Sequence, residues 1–191
     1  MRSANSCSPV TVVILAAGRS RRFGSDKLLR RLADGDTLLQ RAIRARGDFD
    51  AVVVASPPLR DLAVATRVCV IVNGEPERGM AHSLRLADAR IDRAHAIAVL
   101  PADLLLIEPR HLASVAGAAA GVDVTHPASS GGVPGHPVVF SARARGLIAQ
   151  LADREPIATI RDRADLTRRV IRIDEDWPYR DVDTPGDLGQ E

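Results

Sequence analysis

The sequence predicts an α/β protein in which a mostly parallel sheet is covered by helices on both faces. Apolar runs typical of strands alternate with runs typical of helices along the 191 residues. The run 94–100 is almost purely apolar, which indicates a central strand. Hydrophobic residues make up 46% of the chain, enough for a full core in one domain of this length.

Each element follows from a local pattern of apolar and polar residues. The predicted strands are 10–15, 50–55, 68–72, 94–100, 122–125, 137–140 and 170–173. The predicted helices are 37–45, 60–65, 80–90, 109–120, 141–151 and a last one that begins at 184. Thr37 and Gln40 have the spacing of a capping box, and Pro185 suits the first turn of the last helix.

Composition restricts the compartment and the partners. A net charge of +2 and an aromatic content of 3% argue against nucleic acid or a membrane surface as a partner. No apolar run can span a bilayer, and residues 1–8 lack the apolar core of a signal peptide, so we expect a cytoplasmic protein. We expect residues 1–9 to form a flexible tail and residues 10–191 to form a single domain.

A glycine-rich basic loop follows the first strand and reads LAAGRSRRFGSDKLL over residues 15–29. Backbone N–H groups near Gly18 and Gly24 can approach a phosphate closely, and Arg22 and Lys27 can offset its charge. The loop matches neither the dinucleotide fingerprint nor the P-loop. An ordinary loop with a solvated basic face is the alternative, but the polar strand ends that follow favour a triphosphate site.

Polar residues follow the third and fourth strands where these end. In open parallel sheets, ligands bind beyond the carboxyl ends of the strands. Asn73 follows the third strand and Asp103 the fourth, and a carboxylate at Asp103 can hold Mg²⁺. A helix cap is the alternative for Asp103. Asp181 and Asp183 precede the last helix, where either can act as a cap or as a second metal ligand.

Two further segments have both a structural and a functional interpretation. The helix that begins near Gly79 can bind an anion or a nucleobase through its free N–H groups and Ser83. His82 is more typical of a surface or capping residue than of a catalytic base. Residues His136 and Pro137 follow a glycine-rich loop, which is either a hairpin turn or a lining of the acceptor pocket.

These motifs, in this order, resemble the MobA-like nucleotidyltransferase family and its molybdenum cofactor cytidylyltransferase branch. The resemblance implies a three-layer α/β/α, Rossmann-like nucleotide-diphospho-sugar transferase fold. It implies catalytic roles for Arg22, Lys27 and Asp103, and a metal site at Asp103 and Asp183. It places the acceptor at His136 and Pro137. The implied nucleotide contacts come from Leu15, Ala16, Ala17, Gly18, Arg22, Gly24, Lys27, Asn73, Gly79 and Ser83.

The chain departs from the branch at three places. Leu105 stands where proline is usual, and Arg78 stands where the branch has glutamate. Residues 152–156, Ala-Asp-Arg-Glu-Pro, replace a G-D-x-G-A segment that tends to face the acceptor. The Ala-Ala-Gly form of the first loop resembles the cytidylyl branch more than the guanylyl branch.

The resemblance implies Mg²⁺-dependent transfer of CMP from CTP to the phosphate of a molybdopterin-type cofactor, with release of pyrophosphate. A molybdoenzyme is the expected protein partner. Three alternatives stay open. The first is a nucleotidyltransferase that acts on a sugar, polyol or phospholactate phosphate. The second is a molybdoenzyme maturation chaperone without turnover, and the third is an NAD(P)-linked oxidoreductase on the same fold.

Overall fold

The computed structural model describes residues 9–18, 27–66, 68–184 and 186–187. Within them, one seven-stranded sheet has the order β3-β2-β1-β4-β6-β5-β7. Only β6 among these strands is antiparallel to its neighbours, so the predicted mostly parallel sheet is confirmed. The strands are β1 (Val10–Ala16), β2 (Asp50–Ala55), β3 (Cys69–Val72), β4 (Ala96–Pro101), β5 (Val124–Ala128), β6 (Val138–Phe140) and β7 (Arg168–Arg172).

Helices connect these strands across both faces of the sheet. They are α1 (Leu38–Arg44), α2 (Arg60–Val64), α3 (Gly79–Asp88), α4 (Pro109–Gly117), α5 (Ala142–Arg145) and α6 (Ala158–Arg161). The capping box at Thr37 and Gln40 is present at the start of α1. Among the described residues, no helix has the length and apolarity needed to cross a membrane.

Three elements differ from the prediction. The predicted helix 141–151 is split into α5 and a 3₁₀ turn, Gly146–Gln150, and α6 was not predicted. The last predicted helix includes residues outside the described part of the chain. Strand β5 extends through Pro127, a residue that argues against a strand because it lacks an N–H group. The position is tolerated because β6 pairs only with Val124 and Thr125, while the Pro127 carbonyl accepts from the Gly135 N–H at 2.9 Å.

The core consists of two apolar layers, one on each face of the sheet. Val12 and Ile14 of β1 point to the layer that includes α1 and α4. Val13 points to the opposite layer, which includes α3 and α5. This alternation along a largely buried strand confirms the three-layer α/β/α arrangement.

The strand ends form two borders of the sheet, distinct from its outer strands. The border where strands β1 to β4 end is called the carboxyl edge, and the border where they begin is called the amino edge. Because β6 is antiparallel, its first residues lie at the carboxyl edge. At the amino edge, the guanidinium of Arg145 is buried beside Asp88, with Nε 2.7 Å from Oδ1.

Strand β7 forms one lateral side of the sheet and is largely exposed. Three of its five residues are arginine. Arg169 donates to the carbonyl oxygens of Ala118 and Ala120, and Arg172 donates to those of Ser129 and Ser130. The arginine side chains therefore tie this outer strand to the loops beside it.

Candidate active site

The carboxyl ends of β1 and β4 are neighbours at the centre of the sheet. Leu15 pairs in register with Pro101, and the Leu15 carbonyl accepts from the Ala102 N–H at 3.0 Å. Ala16 and Ala17 are buried, whereas Gly18 is exposed and a Cβ there would meet nothing within 4 Å. Among the described residues, the surface at this edge is therefore first exposed at Gly18. Two of the predicted phosphate-binding residues, Arg22 and Gly24, lie outside the described residues.

Lys27 reaches into this edge from a 3₁₀ turn, Lys27–Leu29. The neighbouring Leu28 is buried in the core and fixes the turn. The Lys27 ammonium donates to Asp103 Oδ2 at 2.8 Å and to the Val182 carbonyl at 2.6 Å. It also lies 3.6 Å from Asp183 Oδ1. The structure thus brings Lys27, Asp103 and Asp183 together, and we call these three residues the Lys27 cluster.

A short antiparallel pairing carries Asp183 to the site. Asp103 accepts at its carbonyl from the Val182 N–H at 2.9 Å, and the Leu105 N–H donates to the Arg180 carbonyl at 2.9 Å. The side chain of Val182, within the second of these paired segments, is fully buried. The two carboxylates, 80 residues apart in sequence, are therefore held on adjacent segments by backbone hydrogen bonds and one apolar anchor.

The carboxyl group of Asp181 is affected by the charges of the Lys27 cluster. Loss of surrounding water raises the pKa of the Asp181 carboxyl group, and the charges of Asp103 and Asp183 raise that pKa further. The Lys27 ammonium acts in the opposite direction but does not cancel the shift. The charges of Asp103, Asp183 and Lys27 therefore all act on the Asp181 carboxyl group.

The donor set fits a divalent metal ion. Within the described part of the chain, no group of three or more His, Cys, Asp and Glu side chains is arranged to hold a metal by itself. However, Asp103 and Asp183 both face one cation, the Lys27 ammonium, and Mg²⁺ is usually held by one or two carboxylates together with water and substrate phosphates. Two carboxylates on one cation position satisfy that requirement.

The predicted nucleotide residues Asn73 and Ser83 are buried and bonded to each other. The Asn73 side-chain amide donates to Ser83 Oγ at 3.0 Å and accepts from the Glu75 N–H at 2.8 Å. These bonds join the end of β3 to the start of α3. His82 is buried on α3, with Nε2 3.7 Å from Glu75 Oε2, so its interpretation as a surface residue was wrong. Gly79 begins α3 with a φ of +84°, a conformation that favours glycine.

Two of the three departures from the branch meet in space. Arg78 Nε donates to Asp153 Oδ2 at 2.8 Å, and Arg85 donates to the other oxygen of the same carboxylate. These two hydrogen bonds lower the pKa of Asp153. The Arg78 carbonyl accepts from the Arg154 N–H at 2.8 Å, and a Cβ on Gly79 would lie 2.9 Å from Arg154 Cα. We call Arg78, Arg85, Asp153 and Arg154 the α3 network.

His136 lies at the same edge, at the start of β6. Burial lowers its pKa to about 4, against the opposing charge of Asp103, so the imidazole is neutral at neutral pH. Its Nδ1 atom is buried and has no hydrogen-bond partner among the described residues. Gly135 packs closely here, since a Cβ would lie 2.6 Å from Pro178 Cβ. The segment that ends at Asp183 therefore also contacts the start of β6, where the His136 N–H donates to the Pro178 carbonyl.

A separate cavity of about 470 Å³ lies on the far side of Leu105 and was not predicted from the sequence. Arg41 and Arg44 border it, and the stacked rings of His111 and Trp177 lie at its base with centroids 4.3 Å apart. The cavity contains acidic and basic side chains in mixture and none of the Lys27 cluster. The charged residues predicted from the sequence therefore lie at the carboxyl edge rather than in this cavity.

Comparison with known proteins identifies the family. Residues 12–170 match the model of the MobA-like NTP transferase domain. The chain belongs to this family. As a MobA-like NTP transferase it is a nucleotidyltransferase, which confirms the family and the reaction class expected from its motifs. No curated protein sequence matches the chain.

Several solved structures share the fold over almost the whole chain. Rv0371c of Mycobacterium tuberculosis is 27% identical, with a TM-score of 0.82 and 96% of each chain covered. Its homologue from Mycobacterium sp. strain JC1 is also 27% identical, with a TM-score of 0.79 and coverage of 96% and 94%. Molybdopterin-guanine dinucleotide biosynthesis protein A of Archaeoglobus fulgidus is 18% identical, with a TM-score of 0.73 and coverage of 94% and 95%, and shows the fold.

In this MobA-like NTP transferase, sequence reasoning missed the groups that act through the backbone or across long separations. The Val182 carbonyl contacts Lys27, but a backbone oxygen leaves no signature in the side-chain pattern. The bonds from Arg78 and Arg85 to Asp153 were also missed. The available signal for them was that positions 78 and 152–156 both depart from the branch.

Proposed function

We propose that the chain transfers CMP from CTP to the terminal phosphate of molybdopterin cofactor and releases pyrophosphate. The observation that carries the proposal is the convergence of Lys27, Asp103 and Asp183 at the ends of the two central strands. A cation and two carboxylates at one point suit a metal-bound triphosphate. The family assignment supplies the reaction class.

The proposed reaction needs positioning and charge neutralisation rather than a strong base. An oxygen of the acceptor phosphate attacks the α-phosphorus of CTP, and the bond from that phosphorus to the oxygen bridging to the β-phosphate breaks. Pyrophosphate leaves with the electron pair. The attacking oxygen is already anionic, so no proton has to be removed. His136 is a weak base, since burial lowers its pKa to about 4, and a step that needs no base is consistent with this.

Each charged residue then has a defined role during transfer. Arg22 and Lys27 bind phosphate oxygens and offset their negative charge. Asp103 and Asp183 would hold Mg²⁺, which supplies further neutralisation of the phosphates undergoing transfer. A crystal structure of Rv0371c in complex with manganese supports divalent metal use in a protein of this fold. Leu15, Ala16, Ala17, Gly18 and Gly24 provide the backbone around the triphosphate.

We place the nucleoside and the acceptor on opposite sides of the metal site. Asn73 and Ser83 hold the first turn of α3, and we assign the base to that turn near Gly79. Strand β3 is three strands from β4, roughly 14 Å away at normal strand spacing. His136 and Pro137 lie on the other side of β4, and we assign the acceptor to them. The choice of CTP rests on Ala17 in the first loop.

A pyrophosphate-release screen tests the proposal. Purified protein is incubated with each of the four ribonucleoside triphosphates and with molybdopterin, sugar phosphates, polyol phosphates or phospholactate, in Mg²⁺, in Mn²⁺ and in chelator. We expect release with CTP and molybdopterin and none in chelator. Release with GTP alone moves the protein to guanylyl transfer, and release with another acceptor reassigns the acceptor. No release in any combination contradicts the proposal.

A further inference from the structure

The ammonium of Lys27 lies where oxygen atoms from three residues converge. Its Nζ atom is 2.6 Å from the Val182 carbonyl, 2.8 Å from Asp103 Oδ2 and 3.6 Å from Asp183 Oδ1. Carboxylate and carbonyl oxygens are also the ligands that Mg²⁺ and Mn²⁺ prefer. The protein's own side chain therefore occupies the cation position between the two carboxylates.

We propose that Lys27 and the divalent metal compete for these oxygens, so that the metal binds tightly only when a triphosphate draws the ammonium away. This inference rests on the proposed function, because it assigns the order in which that site is filled. Before substrate arrives, the Lys27 ammonium blocks the metal site, and after substrate arrives it binds phosphate.

The local structure permits this exchange without a change of fold. The backbone at Lys27 is fixed, because Leu28 is buried and the Lys27 carbonyl accepts from the Arg30 N–H at 3.1 Å. The exchange then needs only rotations within the side chain of Lys27. An ammonium on a four-carbon stem donates three hydrogen bonds without a fixed fork, so it can change acceptors more readily than a guanidinium can.

Charge makes the two cations exclusive in the absence of substrate. The side chains of Lys27 and Asp103 are largely shielded from water, with exposed fractions of 14% and 27%. Shielding strengthens the repulsion between an ammonium and a divalent ion at the same oxygens. A triphosphate removes the conflict because it brings new anionic oxygens for both cations.

The test measures metal affinity without turnover. Mn²⁺ binding is followed by electron paramagnetic resonance in the wild type and in Lys27→Met, with no nucleotide present. We expect Lys27→Met to bind Mn²⁺ about tenfold more tightly, or about 1.4 kcal/mol, because the competing charge is gone. Lys27→Arg keeps the charge and should bind Mn²⁺ as weakly as the wild type.

A second measurement gives the signature that separates competition from simple structural damage. An unreactive α,β-methylene analogue of CTP should raise Mn²⁺ affinity in the wild type. In Lys27→Met the analogue itself should bind more weakly, although Mn²⁺ alone binds more tightly. The double variant Lys27→Met with Asp103→Asn should lose the gain, because the metal ligand is missing.

The outcomes are distinct from those of the pyrophosphate screen. Equal or weaker Mn²⁺ binding in both Lys27→Met and Lys27→Gln, with unchanged thermal unfolding, overturns the competition even if CMP transfer is confirmed. Tighter Mn²⁺ binding in a protein that releases no pyrophosphate from any triphosphate supports the competition and removes the proposed function.

Discussion

An aspartate and a cation pair at each edge of the sheet, but the two pairs are built differently. At the amino edge, Arg145 is 1% exposed and Asp88 is 7% exposed. The five N–H groups of the guanidinium all have acceptors, which are Asp88 Oδ1 and the carbonyls of Asp88, Ile91, Asp92 and His95. At the carboxyl edge, Lys27 and Asp103 are joined by Asp183, which is 54% exposed.

The difference separates a structural pair from an exchangeable one. Each donor of Arg145 is satisfied by protein atoms, so that pair offers nothing to a ligand. The Lys27 cluster joins two carboxylates to an ammonium, and its Asp183 side chain is about half exposed, so a ligand can reach it. A buried, fully bonded charge at one edge and a partly exposed group of charges at the other thus distinguish a structural pair from a candidate site in the same sheet.

The largest expected effect is on turnover at the carboxyl edge. Asp103→Asn should reduce metal-dependent pyrophosphate release by about a thousandfold or more, because the metal's charge stabilisation is lost. Its midpoint of thermal unfolding should change little, since asparagine keeps the size of the side chain and Lys27 keeps the Val182 carbonyl and Asp183 as partners. Asp165→Asn, at an exposed carboxylate bonded to Arg163, is the control. Activity of Asp103→Asn near that of the control would remove the metal assignment.

The next effect is on stability at the amino edge. Arg145→Met should lower the free energy of unfolding by about 3–5 kcal/mol, because it leaves Asp88 buried without its main partner. Urea denaturation measures the change. Asp88→Asn added to the same chain should recover part of the loss. If KM for the triphosphate rises in folded Arg145→Met at low temperature, the amino edge is not purely structural.

A smaller effect is expected in the α3 network, where an ion pair is exposed but lies at the carboxyl edge. Arg78→Gln and Asp153→Asn should each raise a substrate KM by up to about fivefold, the range of an exposed pair. The double variant should be no worse than the more affected single variant, because both remove the same contact. Steady-state kinetics measure the cycle. Strictly additive effects would show that the two residues act separately.

The smallest effect is a contrast in pH dependence between the two edges. At the amino edge, burial raises the pKa of Asp123, but hydrogen bonds from Thr167 and the charge of Arg143 outweigh burial and lower it. Its stabilisation is therefore present above the ordinary pKa of about 4 and is lost as pH falls further. Asp123→Asn should flatten the loss of stability in acid.

Asp181, at the carboxyl edge, should show the opposite sign. Its pKa is raised in the folded protein, so the folded state binds the proton more tightly than the unfolded state. Stability contributed by the protonated form is lost as pH rises above about 4. Asp181→Asn should remove this loss. Urea midpoints across acid and neutral pH check both variants, and the same direction of change in both would contradict the contrast.

Sequence reasoning predicted the first half of the sheet well because its signals are local. The bounds of β1 to β4 fall within two residues of the predicted strands, since buried parallel strands have continuous apolar runs. Asp103 was found because such a run ends abruptly in a carboxylate. The bounds of β6 and β7 also fall within two residues of the prediction. The prediction for β5 was shifted toward the N-terminus, because Pro127 argues against a strand at its end.

Contacts across the fold were beyond the sequence. In the sequence, Asp181 and Asp183 stand just before a predicted helix, where either could equally be a helix cap. Asp183 lies beside Lys27 because residues 180–182 pair with residues 103–105. The bond between Arg78 and Asp153 joins positions 75 residues apart. Neither depends on a local period, so each required the three-dimensional arrangement of the strands.

The arginines of β7 have a consequence for how molecules of this protein meet. An outer strand of a sheet has unpaired backbone groups that can template a strand from another molecule. Two copies meeting side to side at β7 would bring three arginines from each into close approach. Their repulsion opposes pairing between outer strands of two molecules, so β7 discourages self-association at this side of the sheet at high concentration.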